Sequence, residues 1–457
     1  MRNTNAYRFT LLSILSAAIV ACGGGGGKPS SAGAGGASSS SMSSASSSSS
    51  GSASSSTGGA AGTGTGTGGA GGAGGAGGAG IPRPVSKLCN GTAGPSSEIP
   101  MPGGVERSAS LPTDRKRVVV KCIPDAKNPA GPPLNVLRTD QDTPLRAGTS
   151  WTWKPDETPP KVSPASFFGE MRAAGLNSVR VIAFDVWEAA AYGGQFLANF
   201  DDPVFLKKLR DLLEATVNNC SEHGMYCILN AHDKIGSFTP DVNQKFWKVM
   251  APYFANRTHV IYEQSNEPWG GSGMGENYSF GPQASLDALR SGFNEMRAAA
   301  ANTHIMIITP TGINGWGYVD SMARVVDLFE KAPGGPIDWT NTSVAYHLYG
   351  TDTQYGSPDA ENLRYLHSKY AGWPSENNFP PDISNQTLNI SDSSRSESYT
   401  NEHYINQTCD ILGLGWSLWN IESSAQLAGN FPLIVNDAKA KGYFWQFDAK
   451  VPGEVSP

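Results

Sequence analysis

The chain has 457 residues and a formal net charge of −6. It carries no basic patch and no RNA-binding aromatic motif, so phosphates find nothing to hold and nucleic acid is excluded as a partner. No spacing of the 6 cysteines and 7 histidines matches a zinc site, and neither a metal nor a cofactor is expected.

Arg2 and Arg8 precede an apolar run from Phe9 to Val20. The run is too short to span a bilayer and fits an export signal. Ile19-Val20-Ala21-Cys22 resembles the lipobox of bacterial lipoproteins, which implies cleavage before Cys22 and acylation of its thiol, so residues 1–22 form the signal. No Asp follows Cys22, which resembles outer-membrane sorting. The expected location is outside the inner membrane, held at the outer membrane or cell surface by lipid alone, or released extracellularly if the signal is an ordinary one.

From Gly23 to Gly80 almost every residue is Gly, Ser, Ala or Thr. Such a composition has too little apolar surface to offset the entropy of ordering, so residues 23–84 read as a disordered tether with an end-to-end distance of roughly 40–45 Å. Residues 85–133 form an N-terminal extension of undetermined structure, with a strap across the bottom of the following domain as one arrangement. Residues 134–457 can bury one large core. A monomer is expected. Cys89 and Cys122 could staple the extension to the domain, and Cys220 with Cys227 could bridge a helix end to the next strand. Spacing alone leaves the connectivity open.

Short apolar strands alternate with helical stretches, the pattern of βα units around a parallel sheet. The strands are expected at Leu145–Ser150, Ser178–Ala183, Met225–Ala231, His259–Glu263, Ile305–Thr309, Ser343–His347, a poorly formed seventh near Asp382–Gln386, and Gly415–Trp419. Helices are expected at Ser163–Ala174, Pro203–Cys220, Asn243–Phe254 and Ala284–Ala301, where apolar residues recur near 3.6 spacing. The fold class is α/β, a (β/α)8 TIM barrel. An open doubly wound sheet is the weaker alternative, because no Gly-rich phosphate loop follows the first strand.

Polar and aromatic residues fall where these strands end, the rim on which such barrels carry chemistry. They are Arg180, Asn230 and His232, Asn266 and Glu267, His347 and Tyr349, then Trp416 and Trp419. Aromatic faces stack on pyranose rings while carboxylates, amides and imidazoles address hydroxyls, so the rim suits a sugar. Trp187, Trp269 and Trp316 are either groove aromatics or ordinary packing.

Gly175-Leu176-Asn177-Ser178-Val179-Arg180 is similar to the GxNxVR strand of glycoside hydrolase family 5. Ile261-Tyr262-Glu263-Gln264-Ser265-Asn266-Glu267-Pro268 resembles that family's YExxNEP strand. Pro144–Gly148, Leu229–His232, Ala345–Tyr349 and Gly415–Trp419 follow in the family's order, so the likeness covers about residues 134 to 450. It implies a retaining glycoside hydrolase acting on a β-linked polysaccharide, with β-1,4-glucan the family's commonest substrate. On this likeness Glu267 is the acid/base, Asn266 binds the sugar 2-hydroxyl, and Arg180 lies beneath the nucleophile. His232 and His347 would fix hydroxyls and carboxyls, Tyr349 would bond the nucleophile, and Trp419 would floor the subsite before the cut.

In the seventh strand as read here, the family's nucleophile position holds Gln386, a neutral and poor nucleophile. Three accounts follow. The register is shifted, with Glu397 or Glu402 nearer the site; Glu422 supplies the second carboxylate; or the barrel is a glycan-binding pseudoenzyme. A surface adhesin borrowing the scaffold is a reading from another class. The stretch between Tyr349 and Gln386, with Pro374, Pro380 and Pro381, reads as an insertion without periodicity.

Overall fold

The computed structural model describes residues 106–153, 161–185, 199–232, 240–266, 283–308, 326–327, 329–347, 358–376, 409, 412–419, 421–429 and 431–432. The chain divides into two units, Met1–Ala76 and Gly77–Pro457. The first unit, with Cys22 and most of the tether, lies outside the described residues.

The strands are β1 (Val119–Ile123), β2 (Leu134–Arg138), β3 (Arg146–Trp153), β4 (Lys161–Val162), β5 (Ser178–Asp185), β6 (Tyr226–His232), β7 (Val260–Glu263), β8 (His304–Ile308), β9 (Thr342–His347), β10 (Gly372–Glu376) and β11 (Trp416–Ser417). The helices are α1 (Ala165–Ala173), α2 (Pro203–Glu222), α3 (Pro240–Phe254), α4 (Gln283–Ala299), α5 (Pro358–Lys369) and α6 (Ser424–Gly429). From β3 through β5, β6, β7, β8 and β9 to β10, each strand pairs in parallel with the next, and β11 pairs in parallel with β3. These eight strands are the (β/α)8 barrel.

Burial on both faces explains why the strands read as apolar runs rather than as alternating ones. Leu145, Ala147, Tyr226, Ile228, Ile261, Met306, Ala345 and Trp373 fill the lower barrel interior. Val179, Val181, Leu229, Tyr262, Ile305 and Val344 face outward and pack with helix residues such as Phe168, Leu213, Phe246 and Leu289. Helix α2 shows how the sequence specifies one such layer. Asp202 caps it by accepting from the Val204 N–H at 2.8 Å, Pro203 starts it, and Phe205, Leu206, Leu209, Leu213 and Val217 form its buried stripe.

The barrel closes where β10 and β11 lie side by side. Leu145 O accepts there from Trp416 N at 2.8 Å and from Trp373 Nε1 at 3.2 Å. Gly415 is required at this seam, since a Cβ would stand 2.1 Å from Leu145 O.

The described part of the extension runs across the N-terminal ends of the strands. Asp114 accepts from Arg257 Nε at 2.8 Å, Arg257 Nη2 at 3.0 Å and Ser221 Oγ at 2.6 Å. Arg115 lies over the Tyr226 ring, 4.5 Å from its centre, and Tyr226 Oη donates to Lys116 O at 2.7 Å. The hairpin of β1 and β2 then joins the sheet, Val136 of β2 pairing with Gly372 of β10. Cys122 is disulfide-bonded.

Two expectations are corrected. Cys220 and Cys227 are buried free thiols, not a bridge. The strand following β9 is Gly372–Glu376, ten residues before the expected Asp382–Gln386, which lies outside the described residues. Both α5 and β10 come from the stretch read as an insertion. Pro374 hides the strand, and so does a register shift between Pro374 and Glu376 that breaks the alternation.

Candidate active site

Arg180 organises the upper barrel. Its neighbours Val179 and Val181 point outward into the helix layer, so alternation turns its guanidinium into the interior, where it is fully buried. Nε donates to Glu263 Oε2 at 2.7 Å and Nη2 to Glu263 Oε1 at 3.3 Å. Nη2 also donates to Asn266 Oδ1 at 2.8 Å, and Nη1 to Glu376 Oε2 at 2.6 Å. One cation thus gathers β5, β7, the segment after β7, and β10. Burial alone would lower its pKa, but the charges of Glu263 and Glu376 prevail and raise it, so it stays ionised at every working pH.

Glu376 reaches this cluster because of a bulge. In regular pairing Ser375 would stand opposite His347, two residues after the inward-facing Trp373. The register shift instead sets Glu376 opposite His347 and turns its carboxylate inward. His347 Nε2 lies 3.8 Å from Glu376 Oε2. Glu263 is wholly buried, whereas Glu376 keeps 7 % of its surface exposed, so one of Arg180's two carboxylates opens toward the rim.

The segment leading out of β7 is pinned from three sides. Gln264 O accepts from Trp247 Nε1 and Asn243 Nδ2, both at 2.7 Å, and Ser265 O accepts from Asn230 Nδ2 at 3.1 Å. Asn266 follows directly and is bound by Arg180. Glu267, the next residue, lies outside the described residues, as do Tyr349, Gln386, Glu397, Glu402, Trp187, Trp269 and Trp316.

His232, at the end of β6, has Nδ1 2.9 Å from Asn230 Oδ1. Burial pushes its pKa down to about 3, with the positive charge of Arg180 adding to the shift and Glu376 opposing it. It is therefore a neutral imidazole, and with the proton on Nδ1 it presents Nε2 as an acceptor. Its ring stacks on Trp419 at 5.4 Å and 11°, and Trp419 meets Trp151 edge-on at 5.7 Å. Trp151 Nε1 donates to Glu422 Oε2 at 2.7 Å. Trp151, Trp419 and Glu422 are partly exposed and form one aromatic side of the rim. Glu422 is occupied there and takes no part in the Arg180 cluster.

The structure thus brings together Arg180, His232, Asn266, His347 and Trp419, all singled out from the sequence. Glu376 and Trp151 were missed, and Glu263 was quoted without a role. One signal pointed to Glu376, because an arginine buried at a strand end needs an acidic partner and Ala371-Gly372-Trp373 is an apolar run ending near one. Among the described residues no group of three or more His, Cys, Asp or Glu side chains is placed to hold a metal ion.

The model of the family described as cellulase (glycosyl hydrolase family 5) matches residues 138–424. Among solved structures, a beta-glucanase from Saccharophagus degradans is similar with 15% identity and a TM-score of 0.45, covering 74% of this chain and 98% of that one. A glycoside hydrolase family 5 enzyme from Prevotella bryantii B14 shows 15% identity and a TM-score of 0.42, covering 61% and 86%. A broad specificity endoglucanase from Clostridium acetobutylicum shows 15% identity and 0.42, covering 64% and 96%. No curated protein matches the chain.

Proposed function

Because the chain belongs to glycosyl hydrolase family 5, the cellulase family, we propose that it hydrolyses a β-1,4-linked glucan with retention of configuration, using Glu376 as nucleophile and Glu267 as acid/base. The observation that carries this reading is the Glu376 carboxylate, turned inward at the end of the seventh barrel strand onto Arg180 Nη1 at 2.6 Å. Glu376, and not Gln386, is then the second catalytic group, and the ground for a silent pseudoenzyme falls away.

Arg180 keeps Glu376 ionised, so its oxygen attacks the anomeric carbon while Glu267 gives its proton to the departing glycosidic oxygen. The covalent glycosyl ester is then opened by water, whose proton Glu267 takes back. Asn266, held by Arg180, binds the 2-hydroxyl as positive charge grows on the ring. His232 offers an acceptor to a sugar hydroxyl, His347 and Tyr349 steady the nucleophile, and Trp419 with Trp151 receives the apolar face of a pyranose.

The test is reducing-sugar release from carboxymethylcellulose, mannan and xylan, with the first-formed anomer read by NMR. Wild type should cleave the glucan to a β-anomer, and Glu267→Ala and Glu376→Ala should each be inactive. Full activity in either variant, or an α-anomer as first product, would remove the mechanism. Export and acylation at Cys22 belong to the same proposal, and globomycin-treated cells that accumulate no larger precursor would remove the anchor.

A further inference from the structure

We propose that Glu263 is a positioning residue that sets the basicity of Glu376 by sharing Arg180 with it. This rests on the reading of Glu376 as the nucleophile. The last residue of β7 is fully buried, and both its carboxylate oxygens accept from Arg180, at 2.7 and 3.3 Å. Its cross-strand neighbours are Asn230 on β6 and Met306 on β8, neither of them charged. A wholly buried carboxylate is a costly way to fill space unless it is paired. Here it is paired with the cation that also serves Glu376.

Two consequences follow. Glu263 grips the Nε edge of the guanidinium and so fixes its plane, which aims Nη1 at Glu376 and the second Nη2 hydrogen at Asn266. It also supplies a second negative charge to a single positive one. Alone with Arg180, Glu376 would sit in a private ion pair and be a weak base. Sharing the cation leaves the three groups with one net negative charge, and the proton affinity of Glu376 rises toward that of an ordinary carboxylate. Of the other described groups facing Glu376, His232 is neutral and His347 Nε2 stands 3.8 Å away, while Glu267, the residue after Asn266, lies outside the described residues. A nucleophile has to be ionised yet still basic enough to attack, and the pairing Arg180–Glu263 sets that balance.

The experiment measures kcat/KM against pH with an aryl cellobioside for the full chain and for Glu263→Gln, Glu263→Asp and Glu376→Ala. The acid limb reports the nucleophile of the free enzyme. In Glu263→Gln it should move down by about one pH unit, with kcat/KM at neutral pH reduced. A folded Glu263→Gln whose limb is unmoved or raised overturns the proposal, since a merely structural role lowers activity without displacing the limb. If Glu263→Gln does not fold, Glu263→Asp decides. One methylene shorter, it draws its charge back from Arg180, so the limb should shift the same way by less, and an unmoved limb is again fatal. Glu376→Ala separates the failures: if that variant keeps wild-type activity the nucleophile reading is lost, whereas its inactivity beside an unmoved Glu263→Gln limb sinks the role of Glu263 alone.

Discussion

Glu376 takes the place opposite His347 that regular strand pairing would give to Ser375. A one-residue irregularity is therefore what delivers a carboxylate to Arg180. Without it the strand would point a serine into the barrel and an acid toward the helices.

Deleting Ser375 should remove the bulge yet keep Glu376 inward, because Glu376 then follows Pro374 directly and takes the regular place opposite His347. The expected outcome is a folded barrel with a near-native circular dichroism spectrum that still hydrolyses glucan, without the loss of at least about 10³-fold that removal of a nucleophile brings. A deletion variant that folds but loses hydrolysis to that extent would show that the place opposite His347 does not by itself position the acid.

Glu422 and Gln386 were both weighed as occupants of the second catalytic position, and each makes a distinct prediction. Glu422 accepts from Trp151 Nε1, so Glu422→Gln should keep a hydrogen bond to the indole and retain most of the activity, with any loss falling on KM. Gln386→Glu should bring no gain, since β10 already ends in an acid. Rates with carboxymethylcellulose check both, and an inactive Glu422→Gln would return Glu422 to the chemistry.

The sequence made most of the barrel legible, because seven of its eight strands fall where strand and helix patterns alternate, and β5, β6, β7 and β9 are apolar runs that end in a recognisable polar residue. Arg180, His232, Asn266 and Trp419 stood out as polar or aromatic groups at the ends of such runs. β10 did not, for a physical reason. Pro374 removes a ladder donor and argues against a strand, and the bulge after it cancels the period-2 pattern. The helix before it, α5, carries His367, Ser368 and Lys369 in place of a clear apolar stripe. The same irregularity that positions Glu376 thus concealed it. Glu263 was missed differently, since its motif was visible but its partnership with Arg180 depends on the inward register of two neighbouring strands.

Stability should fall in mild acid through buried histidines. Burial first, then the charges of neighbouring arginines, pushes His232 and His304 down to about 3, and burial pushes His367 down to about 4. A depressed pKa means that the folded state resists protonation. The stability these groups contribute is therefore complete above the ordinary value of 6.5 and is lost as pH falls toward 3 to 4. His367 is the clearest case, its Nδ1 2.9 Å from Asn135 O and its Nε2 2.8 Å from Tyr346 Oη. Protonation turns Nε2 from acceptor to donor and opposes the Tyr346 hydroxyl. Urea unfolding between pH 7 and 4 should show a decline, and His367→Gln should flatten its slope by the order of one proton. An unchanged slope would mean that His367 is not buried in the neutral form.

The strap beneath the barrel should matter to stability and not to catalysis. Asp114 ties it down through Arg257 and Ser221, with His259 Nδ1 3.1 Å away. Burial would raise the pKa of this carboxyl, but hydrogen bonds from His259, Arg257 and Ser221 outweigh that and hold it well below the usual range. Asp114→Asn leaves Arg257 buried without its counter-charge, a loss of about 3 kcal/mol. The cluster lies at the N-terminal ends of the strands, opposite the rim that carries Arg180 and Glu376, so kcat should stay near wild type at temperatures where the variant is folded. A reduced kcat in the folded variant would show that the bottom of the barrel is coupled to the site. An unchanged unfolding midpoint would show that the strap is held by Arg115 over Tyr226 and the β1–β2 hairpin instead.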